Sequence, residues 1–106
     1  NAALEVLKAQ EQLDQVSETL ENTLANAMDV FNNAIKIAAI ETKNMEVAER
    51  RLMRMNELHA LGKASSFELR EAQIAWLNAN NGMHSALFQA VNAKITVLAL
   101  VGSLGR

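Results

Sequence analysis

Two histidines and a cluster of three arginines are the side chains whose types could carry chemistry. His59 and His84 fall on opposite sides of the strongest turn signal in the chain, and folding the chain there places them far apart. They therefore cannot share a metal ion within one chain. Arg50, Arg51 and Arg54 lie near the end of the first predicted helix, where they favour the helix macrodipole and are expected to form a solvated face.

No pattern of catalytic or cofactor-binding residues accompanies these side chains. The sequence contains no Ser/His/Asp set, no glycine-rich phosphate loop and no ligand spacing typical of a metal site. With 10 basic and 12 acidic residues, it also lacks the basic excess that is typical of nucleic-acid-binding proteins. The sequence therefore predicts no enzyme activity, no cofactor and no nucleic-acid partner.

The composition indicates a helical chain. Its 106 residues include no proline, no cysteine and only four glycines, and aromatic residues make up 4%. The lack of cysteine excludes a disulfide scaffold and Cys-ligated zinc or iron–sulfur sites. A β-sandwich or β-barrel would need more turn-forming, β-branched and aromatic residues. The remaining composition is dominated by Ala, Leu, Asn, Glu, Met and Lys, most of which favour helices.

The longest apolar run is too short to span a membrane. It extends from Ile95 to Leu104, about half of the roughly 20 residues that a membrane-spanning helix needs. No signal peptide is visible and the first residue is Asn1. The chain is therefore expected to be a processed or excised piece of a longer protein.

One turn signal divides the chain into two helical arms: Leu61, Gly62, Lys63, Ala64 and Ser65. Gly62 suits the left-handed position that follows a helix C-terminus. Ser65 precedes Glu68 by three residues, which is the spacing of a capping box at a helix N-terminus. The local chemistry is thus that of one helix ending and another beginning.

This pattern predicts one all-α domain over residues 1–106, a long antiparallel and coiled-coil-like helical hairpin. Helices are expected at about 2–60 and about 66–101, joined by a turn at 61–65. The second arm is shorter and reaches back only to around residue 25. The residues before that point still carry an apolar stripe: Val6, Ala9, Leu13, Val16 and Leu20. A long helix does not bury such a stripe alone, so something outside this chain is expected to cover it.

Each arm carries two apolar series in steps of three and four residues. The first series of the second arm is Leu69, Ala72, Trp76, Ala79, Met83, Ala86, Ala90, Ala93, Val97, Leu100 and Leu104. Its other series is Ile74, Leu77, Asn81, His84, Phe88, Val91, Ile95 and Leu98. One series of the first arm continues its apolar stripe through Ala27, Val30, Ala34 and Ile37. The other is Leu24, Met28, Phe31, Ile35, Ala38, Met45, Leu52 and Met55. Two seams per helix predict two neighbours, as in a four-helix bundle or a hollow barrel of helices side by side.

A longer pattern runs across the turn in a single register. Its first part is Gly62, Ser65, Glu68, Leu69, Ala72 and Gln73, and it continues through Asn78-Ala79, Ala86, Asn92-Ala93 and Val101-Gly102. In this register the chain resembles the TolC-type outer-membrane efflux proteins. Their periplasmic turn reads Gly-x-x-Ser/Thr-x-x-Asp/Glu-Leu/Val-x-x-Ala-Gln and is followed by Ala or Asn-Ala at heptad spacing. The first arm resembles the long helix that precedes this turn in the family.

The resemblance implies a trimeric conduit for multidrug efflux or type I secretion in a Gram-negative bacterium. In this family a β-barrel crosses the outer membrane and a long α-helical barrel crosses the periplasm. The chain would be the helical hairpin of the second structural repeat and part of that larger α-helical barrel. Its implied partners are two further copies in a homotrimer, a periplasmic adaptor protein and, through the adaptor, an inner-membrane pump. The membrane-spanning strands would belong to segments absent from these residues.

The resemblance also implies that the turn is a docking site. Its residues, which we call the tip, are Leu61, Gly62, Lys63, Ala64 and Ser65. In the family the tip meets the hairpin tips of the adaptor protein. A tight turn on a long rigid hairpin suits docking because the helices hold its exposed backbone groups in place. The alternative is that Gly62 and Ser65 only end one helix and begin the next.

Three further residues beside the tip acquire expected roles from the resemblance. Glu68 and Glu71 correspond to acidic positions that ring the channel entrance, where carboxylates from three chains would favour cations. Their alternatives are a capping carboxylate and a solvated face. The best-known family members close the tip with a tyrosine and an arginine, which are replaced here by His59 and Ala64. His59 is therefore the candidate gate residue, and a histidine there would make the contact sensitive to pH.

Two other readings compete with the conduit. Adaptor hairpins carry an Arg-x3-Leu-x6-Ser pattern at their tip, and Arg54, Leu58 and Ser65 have this spacing. Against an adaptor, the first arm is long and no proline-containing strand follows Gly102. The third reading is a stand-alone helical-bundle interaction module, which would be compact and would unfold cooperatively.

Overall fold

The computed structural model describes residues 1–104 and confirms an all-α, elongated helical hairpin. Helix α1 spans Ala2–Ala60, helix α2 spans Ser66–Leu104, and the turn at 61–65 joins them. The two helices lie side by side in a single layer that measures 90 × 19 × 13 Å. Residues 105 and 106 of the predicted domain, and the side chain of Leu104, lie outside the described part of the chain.

The bounds of both helices follow from their local sequence. The 59 residues of α1 correspond to about 89 Å at 1.5 Å per residue, so α1 accounts for the 90 Å length and is nearly straight. The Asn1 side chain caps α1 by accepting a hydrogen bond from the Ala3 N–H at 3.1 Å. Helix α2 continues to Leu104 rather than ending at about residue 101. Gly102 stays helical there, and the Ser103 hydroxyl donates to the Ala99 carbonyl at 3.1 Å.

The helices meet along one narrow seam in which every fully buried residue of residues 1–103 is an alanine. These alanines are Ala38, Ala64, Ala72, Ala86 and Ala93. The seam predicted for α2 is confirmed, because each of its members from Leu69 to Leu100 is buried or half-buried. Larger side chains such as Trp76 and Met83 are half-buried between the alanines. Small and large residues thus alternate, which lets two helices pack closely along their length.

The seam of α1 draws on both predicted series rather than on either one. Its buried and half-buried apolar residues are Leu20, Leu24, Ala27, Phe31, Ala34, Ala38, Met45, Ala48, Leu52, Met55 and Leu58. Val30 and Ile37 from one series and Met28 and Ile35 from the other are exposed. The prediction of two separate seams in α1 is therefore wrong. The two series follow adjacent positions of the helix, and one partner helix covers the strip between them.

The second predicted series of α2 lies on the face turned away from α1. We call it the back stripe: Ile74, Leu77, Asn81, His84, Phe88, Val91, Ile95 and Leu98. Its six large apolar members are each between 51% and 67% exposed. At about 103° per residue in a helix with a seven-residue repeat, the centre of the back stripe lies about 155° around α2 from the seam. Helix α2 therefore has two apolar faces that point in nearly opposite directions.

The first third of α1 extends beyond α2. Residues 1–19 are exposed, and half-burial begins at Leu20, slightly earlier than the predicted limit near residue 25. Val6, Leu13 and Val16 are all exposed, so no described residue covers the apolar stripe of this arm before Leu20.

Helix α2 is long and apolar enough to cross a membrane, judged by length and composition alone. Within Ser66–Ser103, an 18-residue window reaches a mean hydropathy of 1.4, and 6% of that window is buried. The expectation drawn from uninterrupted apolar runs was therefore too strict, because an average tolerates the polar residues that break a run. A helix with an alanine seam on one face and an apolar back stripe on the other reaches the same mean hydropathy without crossing a membrane. One such helix is therefore weak evidence for a membrane span.

Candidate functional site at the hairpin tip

The tip begins with a Schellman motif that ends α1. The Lys63 N–H donates to the Leu58 carbonyl at 2.8 Å, and the Gly62 N–H donates to the His59 carbonyl at 3.0 Å. Gly62 has a φ of 75°, the left-handed conformation that this motif requires and that residues with a side chain rarely adopt. The motif reverses the chain within a few residues and pairs carbonyls that the end of a helix would otherwise leave unpaired.

The tip ends where Ser65 caps α2. The Ser65 hydroxyl accepts a hydrogen bond from the Glu68 N–H at 3.1 Å, and the Ser65 carbonyl accepts from the Leu69 N–H at 3.1 Å. Ala64 is buried against the hairpin, whereas the other four tip residues are exposed. The tip is thus a fixed surface of backbone and side chains rather than a loose loop.

A hydrogen bond between side chains ties the two helices together beside the tip. His59 Nε2 lies 3.2 Å from Ser66 Oγ, and both residues are exposed. The candidate gate residue therefore has a partner within its own chain, on the first residue of α2. The sequence indicates that His59 lies beside the turn but not which residue it contacts, because the bond depends on how closely the helices meet.

The two predicted acidic residues lie on one flank of the hairpin. Glu68 and Glu71 are both exposed. Glu71 lines a surface groove with Arg51, so one member of the arginine cluster lies across the hairpin from it. His84 lies far along the back stripe, and within residues 1–104 no three His, Cys, Asp or Glu side chains are grouped to hold a metal ion.

Two large apolar side chains project from the end of the hairpin. Leu61, in the tip, and Phe67, in the first turn of α2, are each 69% exposed. Phe67 is not among the residues predicted from sequence to form the site. It precedes Ile74 by seven residues, so the heptad spacing of the back stripe was the signal that could have found it.

We expect Gly62→Ala to destabilise the hairpin by about 1–2 kcal/mol, because alanine is strained in the left-handed conformation. Gly62→Asn should lose less, since asparagine tolerates this conformation better. Gly102→Ala is the matched control and should stabilise by about 0.5 kcal/mol, since Gly102 is helical with open space around it. Urea unfolding followed by circular dichroism, at one protein concentration, measures all three. A Gly62→Ala variant as stable as the wild type would contradict the assigned motif.

No protein-family model, no curated protein and no solved structure matches this chain.

Proposed function

We propose that this hairpin is a periplasmic α-barrel segment of a trimeric outer-membrane export channel, with its tip docking a periplasmic adaptor protein. The observation that carries the proposal is the pair of opposed apolar faces on α2. The continuous pattern from Gly62 to Gly102, through which the chain resembles the TolC-type proteins, supports the same function.

The angle between the two faces of α2 favours a wall of helices over a bundle. In a four-helix bundle each helix sits at the corner of a square, so its two neighbours are separated by roughly 90°. The seam and the back stripe of α2 are separated by about 155°. Helices with nearly opposite contact faces build a gently curved layer, which is the geometry of a wide hollow barrel. The exposed apolar residues of α1 are spread over several positions around the helix, whereas those of α2 form one stripe, so α2 carries this argument.

The tip has the properties that docking requires. Its backbone is fixed by the hydrogen bonds of Gly62, Lys63 and Ser65, so little conformational entropy is lost on binding. Leu61 supplies an exposed apolar anchor at the end of a hairpin 90 Å long. Glu68 and Glu71 are exposed on α2 near the tip, and copies around a three-fold axis would bring these carboxylates together at the channel entrance.

The genomic reading frame that contains these residues is the first test. The proposal expects strand-like segments before Asn1 and a second, similar helical hairpin upstream. A frame that starts and stops close to these 106 residues would contradict it and favour a stand-alone helical module.

The docking role is tested with the full-length protein and an adaptor from the same genome whose hairpin carries the Arg-x3-Leu-x6-Ser pattern. Leu61→Glu should weaken adaptor binding at least about tenfold, because a charge replaces an apolar anchor. Ile40→Glu makes the same change at an exposed position on α1 far from the tip and should bind like the wild type. Equal binding by all three proteins, or no binding by the wild type, would contradict docking at the tip.

An adaptor hairpin remains the second candidate because Arg54, Leu58 and Ser65 match the adaptor pattern. The structure gives two of these residues a role within the hairpin. The Leu58 side chain is half-buried between the helices, and the Ser65 hydroxyl caps α2. Helix packing and capping thus account for both residue types, so their spacing alone is weak support for an adaptor.

A further inference from the structure

The back stripe of α2 is a long apolar surface without charge at its centre. Between Arg70 and Leu98 its only ionisable residue is His84. None of its large apolar side chains is buried by α1. A surface of this kind needs an apolar partner, because contact with a charged surface would desolvate charges without pairing them.

The two ends of the back stripe match each other when the direction of α2 is reversed. Reversing α2 about Ala86 places Ile74 opposite Leu98 and Leu77 opposite Ile95. At the centre it places the polar Asn81 and His84 opposite Val91 and Phe88. Beside the stripe, the Leu87 side chains of the two copies lie on the same side of the contact, each one residue away from the two-fold axis. Each large apolar residue at the ends of the stripe thus meets another one when two copies of α2 are laid antiparallel. Such self-complementarity is what a two-fold symmetric interface requires.

Charge favours the antiparallel over the parallel arrangement. Arg70 precedes Leu77 by seven residues and shares its position on the helix face. In a parallel pair Arg70 would face Arg70 of the second copy, and His84 would face His84. In the antiparallel pair Arg70 lies opposite Gly102. Like charges in contact oppose association, so they disfavour the parallel pair.

The polarity of the neighbouring flank argues against lipid as the partner. Beside the back stripe and the seam, α2 carries a third strip with Ser85, Gln89, Asn92 and Thr96. These side chains line grooves between the helices together with residues of α1, among them Asn33 and Glu41. Insertion of α2 into a bilayer would take these polar groups and the paired length of α1 into the hydrocarbon region, which strongly disfavours polar groups without hydrogen-bond partners.

We propose that the back stripe binds a second copy of this chain, forming an antiparallel dimer through α2. The four helices then lie in one layer in the order α1, α2, α2 and α1, with every neighbouring pair antiparallel. Six large apolar side chains per copy, each with on the order of 100 Å² exposed, bring about 1,200 Å² to the contact, the lower end of the range for stable interfaces. In a barrel wall the same face would contact a neighbouring helix instead, so the two uses of the back stripe exclude each other. The dimer is therefore proposed for the separate 106-residue chain and not for an assembled channel.

Light scattering coupled to size-exclusion chromatography tests the dimer. The wild type should elute with twice the 11.6 kDa mass of the chain. Leu77→Glu and Ile95→Lys should each weaken dimerisation at least about tenfold while circular dichroism still shows the helices. Ile40→Glu is the matched control, since Ile40 and Ile95 are each 58% exposed, and it should remain dimeric. A monomeric wild type, or variants that all behave like the control, would overturn the proposal.

The register has its own test. Mixing Leu77→Glu with Ile95→Lys should restore a dimer, because the new glutamate and lysine then face each other while the other Leu77–Ile95 contact stays apolar. The chain has no cysteine, so introduced cysteines report cleanly. Leu98→Cys should form a disulfide with Ile74→Cys of a second population and none with itself. Self-linking of Leu98→Cys, or no linking in the mixture, would overturn the antiparallel register. Either result would leave the export proposal standing.

Discussion

Replacing Ala72 with leucine is expected to destabilise the hairpin by about 2 kcal/mol, within the range typical of overpacked cores. Ala72 is 1% exposed, the lowest exposure among the buried alanines, and lies on α2 shortly after the turn. A leucine there has no space unless the helices move apart. The Schellman motif and the Ser65 cap fix the separation of the helices nearby, so the strain cannot relax by a small shift of the chain.

Ala99→Leu is the matched control for this prediction. It makes the same substitution on the same helix at an exposed position, and alanine and leucine have similar helix propensities. Its effect on the free energy of unfolding should stay within about 0.5 kcal/mol. Chemical denaturation of both variants at equal concentration decides the matter. Equal losses in the two variants would show that the alanine seam is not closely packed.

Amide hydrogen exchange should divide α1 into two parts. We expect amides of residues 6–19 to exchange about 100-fold faster, or more, than those of residues 31–58, a difference of about 3 kcal/mol in opening free energy. Residues 6–19 have no helix packed on them, and a single helix of this length is marginal in water. The Asn1 cap slows fraying but does not replace the missing partner.

This comparison carries its own control, because both segments belong to one uninterrupted helix measured in one sample. Protection should rise from Leu20 onward, where half-burial begins. Uniform protection along α1 would contradict the prediction. It would mean that a further surface covers the apolar stripe of the arm in solution.

Much of the tip could be predicted from sequence, because its chemistry is local. A glycine at the end of α1 and a serine three residues before a glutamate at the start of α2 define their own hydrogen bonds. The contact between His59 and Ser66 and the groove shared by Arg51 and Glu71 were not identified. Both join residues of different helices, so they depend on the distance and rotation between α1 and α2.

The sequence by itself determined two helices, the turn between them and the seam of α2. These features follow from helix propensity, from Gly62 and Ser65, and from an alanine-rich heptad repeat whose period is clear. The tertiary structure alone decided which strip of α1 is buried, because its two apolar series lie at adjacent positions and only the position of α2 selects between their members. It also decided that α2 covers α1 only from Leu20 onward and that the back stripe stays exposed. A helix's own residues fix its apolar faces, but the length and register of its partner fix which of those faces are covered.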